Sequence, residues 1–172
     1  MFRYWRQGGR VPLGFLGGAQ IDRFANLNTT VVGPYEKPNV RLPGGGGAPE
    51  IASSCGEIFI TMALSPRGFV DGLDFITSMG HGEGGDHRQR LGLKTKGPTK
   101  VITDMCIMEP DPRTKELTVV SIHPGVTREQ ITQACGWPIR FAERTVDTPA
   151  PTAEELTTLR DLQERTRRAH AA

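Results

Sequence analysis

The stretch Leu42-Pro43-Gly44-Gly45-Gly46-Gly47-Ala48-Pro49-Glu50-Ile51-Ala52 places four consecutive glycines before a segment able to open a helix. Glycine reaches positive φ at little cost and lets backbone N–H groups approach a ligand closely. Pro49 suits the first turn of a helix, and Glu50 complements the positive end of its dipole. A glycine run at a helix start therefore offers a pocket of amide donors, suited to phosphate or to a developing oxyanion. The same run also reads as a flexible surface turn. What surrounds it decides which frame it belongs to.

Upstream, Val11 to Leu16 is a short apolar segment ending in Gly17-Gly18, and Thr29 to Val32 is a β-branched run closed by Gly33-Pro34. Both read as strands meeting turns. Downstream, Pro49 to Cys55 reads as a short helix and Glu57 to Met62 as a strand. Phe69 to Thr77 is expected to be a further strand, interrupted at Gly72, and Val101 to Met108 a buried one paired with Glu116 to Ile122. Pro110-Asp111-Pro112-Arg113 between that pair is turn chemistry. Gly80 to Gly97 carries Gly, His, Arg and Lys without apolar periodicity and is expected to be a long loop. Two capping-box patterns, Thr127-Arg128-Glu129-Gln130 and Thr152-Ala153-Glu154-Glu155, open helices. The first stops at Gly136-Trp137-Pro138. The second, about 152–169, carries Leu156, Leu159 and Leu162 on one stripe and ends in the basic tail Arg165 to His170, which suits a helix C-terminus. Interleaved strands and helices predict an α/β fold, a single-domain open sheet with flanking helices over residues 1–172.

At 172 residues the chain has the size of one domain and can bury a core. A net charge of +2, with basic residues scattered outside the C-terminus, argues against a nucleic-acid partner. No apolar run approaches the length that crosses a bilayer, and Met1 to Gly9 lacks the apolar core of a secretory signal. Three cysteines, Cys55, Cys106 and Cys135, form no C-x-x-C pair and suggest reduced thiols in a cytoplasmic protein.

Four groups of residues could carry chemistry. The glycine run is the first. Gln20 follows an apolar strand and a glycine pair, where ligands meet α/β sheets, and is a candidate donor to a carbonyl or a glutamine satisfying a turn. His81 and His87, with Glu83 and Asp86 between them, have metal-ligand chemistry, but nothing positions a further ligand, so no metal is expected. His123 reads as a turn histidine. Among the acids, Glu50 is a possible nucleophile by type but first of all a helix-start carboxylate. No G-x-S-x-G elbow and no Walker lysine is present, and Cys55 has no evident base beside it.

The succession Gly8-Gly9, Leu16-Gly17-Gly18-Ala19-Gln20-Ile21-Asp22-Arg23, Asn26-Leu27-Asn28-Thr29-Thr30 and Gly44 to Ala52 resembles the β-subunit of family I CoA-transferases, of the glutaconate and 3-oxoadipate branch. Ser65-Pro66-Arg67-Gly68, Thr99 to Asp104, His123 to Thr127 and Gly136-Trp137-Pro138 follow in the family's order, so the resemblance covers about residues 4–162. It implies a CoA-transferase β-subunit-like fold and transfer of CoA from an acyl-CoA to a carboxylic acid, with coenzyme A as substrate, no other cofactor, and an α-subunit as partner. A glutamate attacks the thioester, giving an acyl anhydride and then a glutamyl-CoA thioester. The glycine loop, here Gly45, Gly46, Gly47 and Ala48, supplies N–H groups to the oxyanions, and Gln20 matches a position near the thioester carbonyl.

In that family the nucleophilic glutamate lies before the stretch at which this chain begins. None of Glu36, Glu50, Glu57 or Glu83 occupies its place, so it is expected upstream of this chain, which then represents the C-terminal portion of an N-terminally truncated subunit. A nucleophile on a separate polypeptide and a degenerate homologue are the other two explanations, and truncation is preferred because Met1 falls inside a region where the family continues. The expected function is the β-subunit of a CoA-transferase for a short dicarboxylic or 3-oxo acid, as in aromatic degradation. The alternatives are a subunit of a ring-opening CoA-thioester hydrolase of steroid degradation, with catalysis on the α-subunit, and a non-catalytic partner. Arg23, Arg41, Arg67 and Arg88 are possible carboxylate partners. The basic segment Arg88 to Lys100 either meets CoA phosphates or is a solvated surface.

Overall fold

The computed structural model describes residues 11–171. Its first half runs β1 (Leu13–Leu16), β2 (Gln20–Ile21), β3 (Leu27–Asn28), β4 (Val31–Val32), β5 (Val40–Arg41), α1 (Ala48–Ser54) and β6 (Glu57–Thr61). The second half runs α2 (His87–Arg90), β7 (Pro98–Ile102), β8 (Cys106–Pro110), β9 (Leu117–Ile122), α3 (Arg128–Ala134), β10 (Arg140–Asp147) and α4 (Ala153–Ala171). Six strands form one sheet in the order β1-β6-β7-β8-β9-β10. β1, β6 and β7 are mutually parallel, β8 is antiparallel to both its neighbours, and β9 and β10 are parallel. This is the expected α/β sheet with flanking helices.

Period-two alternation explains which faces are covered. Ile58 and Ile60 of β6 are fully buried, as are Val101 of β7, Met108 of β8 and Val119 of β9. Each such aliphatic side chain contributes about 2 kcal/mol by leaving water. Ile131 of α3 closes the same core, and Phe69 stacks on Trp137 with ring centroids 5.9 Å apart. Gly136 permits that approach: its N–H donates to Phe69 O at 2.7 Å, and an added Cβ would stand 2.4 Å from the same oxygen. The capping box at Thr127 forms as its sequence predicts, Thr127 Oγ1 accepting from Gln130 N while Gln130 Oε1 accepts from Thr127 N. At the β8–β9 turn Asp111 Oδ1 accepts from the amides of Arg113 and Thr114, which holds its carboxyl below the usual range.

Two expectations are corrected and a third is refined. Val101 to Met108 is not one strand: Thr103 Oγ1 accepts from the amides of Met105 and Cys106 and reverses the chain between β7 and β8. Phe69 to Thr77 is not a strand either. Phe69 makes one bridge to Ile21, after which Asp71 pairs with Arg23, Asp74 bonds Gln20, and Thr77 N donates to Leu27 O. Side-chain and loop partners absorb the polar groups that a ladder needs, so Phe75 and Ile76 stay exposed. The Gly80–Gly97 segment is a loop, but it carries the single turn α2 and buries His81 and Arg88.

Candidate active site

β1 ends at Leu16, and Gly17, Gly18 and Ala19 then form one wall of an open cleft of about 320 Å³. Thr29, Leu42, Pro43 and Gly44 form the other wall, so the glycine run borders the carboxyl end of a parallel strand, where α/β sheets receive ligands. Thr29 and Gly44 are tied twice, Gly44 N donating to Thr29 O at 2.9 Å and Thr29 Oγ1 to Gly44 O at 3.0 Å. Gly44 and Gly46 hold φ values of +97° and +49°, which make the run a defined turn. Ala48 N closes that turn onto Gly45 O at 2.9 Å, and Gly47 O accepts from Ile51 N in the first turn of α1. Among the described residues the amides of Gly45 and Gly46 meet no acceptor. Of the four expected oxyanion donors, Gly45 and Gly46 keep amides without an acceptor and the Ala48 amide is committed to the turn, while Gly44 is the residue of the run that lines the cleft.

Gln20 is buried immediately after the Gly17–Ala19 wall. Its Oε1 accepts from Asn28 Nδ2 at 2.7 Å and from Asp74 N at 3.3 Å, and its Nε2 donates to Asp74 Oδ2 at 2.7 Å. Asn28 is itself fixed, donating to Val31 O and accepting from Thr30 N. Those contacts decide the orientation of the Gln20 amide and leave its second N–H as a donor. Thr77 joins this network to the glycine turn: its Oγ1 accepts from Thr29 N at 2.9 Å and bonds Thr30 Oγ1 at 2.7 Å, while its methyl group faces Gly45. Asn28, Asp74 and Thr77 are not among the site residues that the sequence singles out. Asp74 and Thr77 come from the segment read as a strand, and their only signal is that polar residues break its apolar alternation.

The remaining candidates lie apart. His81 is buried, its Nε2 donating to Pro98 O at 2.8 Å, and burial pushes its pKa down to about 4. His87 Nδ1 accepts from Glu83 N. His123 spans Thr103 O and Thr148 Oγ1. Among the described residues no group of three His, Cys, Asp or Glu side chains is placed to hold a metal. Arg23 pairs with Asp71 and Glu116, Arg41 lies 5.0 Å over the Tyr35 ring, and Arg88 bonds backbone carbonyls and Thr95. Burial raises the thiols of Cys106 and Cys135 to about 11, so neither is a nucleophile near neutrality.

The coenzyme A transferase profile matches residues 1–134. The chain belongs to the coenzyme A transferase family. It is 62% identical over 170 residues to the β-subunit of 3-oxoadipate CoA-transferase from Pseudomonas knackmussii, a match covering 99% of this chain and 65% of that protein. It is 34% identical to the β-subunit of glutaconate CoA-transferase from Acidaminococcus fermentans, over 87% of this chain and 56% of that one. This coenzyme A transferase chain thus spans about three fifths of the length of either relative. The crystal structure of glutaconate coenzyme A-transferase from Acidaminococcus fermentans superposes with a TM-score of 0.81 at 32% identity, covering 92% of this chain and 60% of that one. The IpdAB structure from Rhodococcus jostii shares the fold at a TM-score of 0.78 and 24% identity, covering 90% of this chain and 61% of that one. The cleft of this coenzyme A transferase chain contains no carboxylate among its described lining residues.

Proposed function

We propose that the chain is part of the β-subunit of a CoA-transferase that moves CoA between an acyl-CoA and a short dicarboxylic or 3-oxo acid, of the 3-oxoadipate type, together with an α-subunit. The observation that carries this reading is the glycine turn opening on the cleft at the end of β1, in a chain 62% identical to such a subunit. In the proposed reaction a glutamate carboxylate from outside the described cleft attacks the thioester carbonyl carbon. The C–S electrons leave with sulfur, giving an acyl-glutamyl anhydride and CoA thiolate. The thiolate then attacks the glutamyl carbonyl and releases the first acid as its carboxylate, leaving a glutamyl-CoA thioester. The acceptor acid reverses these two steps.

Each attack places negative charge on a carbonyl oxygen. The Gly45 and Gly46 amides are fixed donors for that charge, and the second N–H of Gln20 adds orientation. Donors fixed before reaction need no reorganisation as the charge develops, which is why glycines held in a defined turn serve here better than flexible ones. A cytoplasmic location fits the free cysteines, and among the described residues no helix is long and apolar enough to cross a membrane.

The deciding experiment follows labelled 3-oxoadipate in the purified assembly supplied with an acyl-CoA. Label entering a thioester without release of free CoA is the expected result. Stoichiometric release of free CoA with no labelled thioester would replace the transferase with a hydrolase.

A further inference from the structure

A second cavity, of about 290 Å³, lies at the opposite end of the sheet from the glycine turn. It is lined by Pro98, the first residue of β7, and by Pro110, the last of the antiparallel β8. β1 and β7 run in one direction, so the amino end of β7 and the carboxyl end of β1 face opposite ways. Its polar lining includes Arg88, Lys96, Lys115, His81, Thr95 and Thr99, and no acidic side chain is among its described lining residues.

The charge in this cavity is under-compensated. Arg88 is 4% exposed, and every acceptor it meets is neutral. Its Nη1 donates to Gly80 O at 2.7 Å, and its Nη2 to Ala52 O at 3.1 Å and Thr95 Oγ1 at 2.7 Å. Its Nε, packed against Gly97, has no acceptor. Among the described residues neither Arg88 nor Lys115 makes an ion pair, and Lys96 reaches only Glu57, at 3.9 Å. Glu57 is shared with Thr99 Oγ1 at 2.9 Å. A buried guanidinium without a counter-ion is costly unless something supplies negative charge. Arg88, Lys115 and His81 all line this one space.

We propose that this cavity binds a phosphate group, held by Lys96 and Lys115 with the charge of Arg88 behind them. The volume is at the small end for ligand pockets and fits one tetrahedral oxyanion, free or at the end of a larger metabolite. Arg88 and Thr95 also hold Ala52 O and Ser53 O at the carboxyl end of α1, whose amino end is the glycine turn. The site is thus built into the fold and separate from the cleft.

The test is calorimetric titration of inorganic phosphate, and in parallel adenosine 3′,5′-bisphosphate, into the purified assembly at fixed ionic strength. The comparison is the double variant Lys96→Gln/Lys115→Asn, in which asparagine tolerates the positive φ of position 115. Saturable phosphate binding that weakens about tenfold or more in the double variant is the expected result. Bisphosphate binding with the same sensitivity, and no binding of free phosphate, supports the site with a larger metabolite as the source. Absence of saturable binding by either probe, or affinities unchanged by the double substitution, overturns the proposal.

Discussion

His81 and Arg88 show how a polar side chain in a loop earns a buried position. His81 Nε2 must be the protonated nitrogen, because its partner is the carbonyl of Pro98, and burial keeps the ring neutral with a pKa of about 4. The folded value lies below the ordinary histidine value near 6.5, so the unfolded chain binds the extra proton. Stability from this group is complete above about pH 6.5 and is lost as pH falls toward 4, on the order of 3 kcal/mol in all. Urea midpoints measured between pH 7.5 and 4 check this: in His81→Gln the acid-side loss shrinks by that amount, and an unchanged profile refutes the assignment. Arg88 acts by geometry. Its planar fork reaches Gly80 O on one side and Ala52 O and Thr95 on the other. Arg88→Lys supplies one compact ammonium for those separated acceptors, so it is expected to cost about 2 kcal/mol, and Arg88→Met about 3 kcal/mol, by urea denaturation.

Among the elements, the glycine turn and α1 work as one piece. Gly44 and Gly46 carry positive φ, and an added Cβ at either would meet nothing within 4 Å, so alanine there acts on the backbone alone. Gly46→Ala is expected to lower stability by about 1 kcal/mol and to reduce transfer activity in kcat more than in KM, with Gly46→Asn recovering part of both. Equal losses in kcat and KM would remove the turn from the proposed oxyanion role. This piece was legible in sequence because consecutive glycines before Ala48-Pro49-Glu50 are local chemistry. So was α3, whose capping box needs only residues three apart. The hydrogen-bond network beside the turn was not legible. Asp74 and Thr77 gain their roles from Gln20, Thr29 and Thr30, 47 to 54 positions away, and no window spanning Phe69 to Thr77 contains those partners. β10 escaped for another reason: Arg140 to Asp147 lies at the sheet edge with a register break after Phe141, so it shows little apolar alternation.

At the scale of the whole molecule, stability is concentrated before Thr148. The buried apolar residues run from Leu16 to Trp137, and Thr148 closes this body through Ser121 Oγ and His123 Nδ1. α4 lies beyond it. Its Leu156, Leu159 and Leu162 share a stripe, but Leu159 is 49% exposed and Leu162 54%, so the stripe does not seal a core. What holds α4 helical is local: the Thr152–Glu155 capping box and the pairs Asp161–Arg165, Glu164–Arg167 and Glu164–Arg168. Exposed pairs of this kind are worth only tenths of a kcal/mol each. Ending the chain after Ala150 is therefore expected to remove α4's share of the circular-dichroism helix signal while changing the unfolding free energy by less than about 0.5 kcal/mol. A loss of 2 kcal/mol or more would mean that the leucine stripe is buried in solution. The sheet and its two cavities would then depend on a helix that the fold leaves outside them.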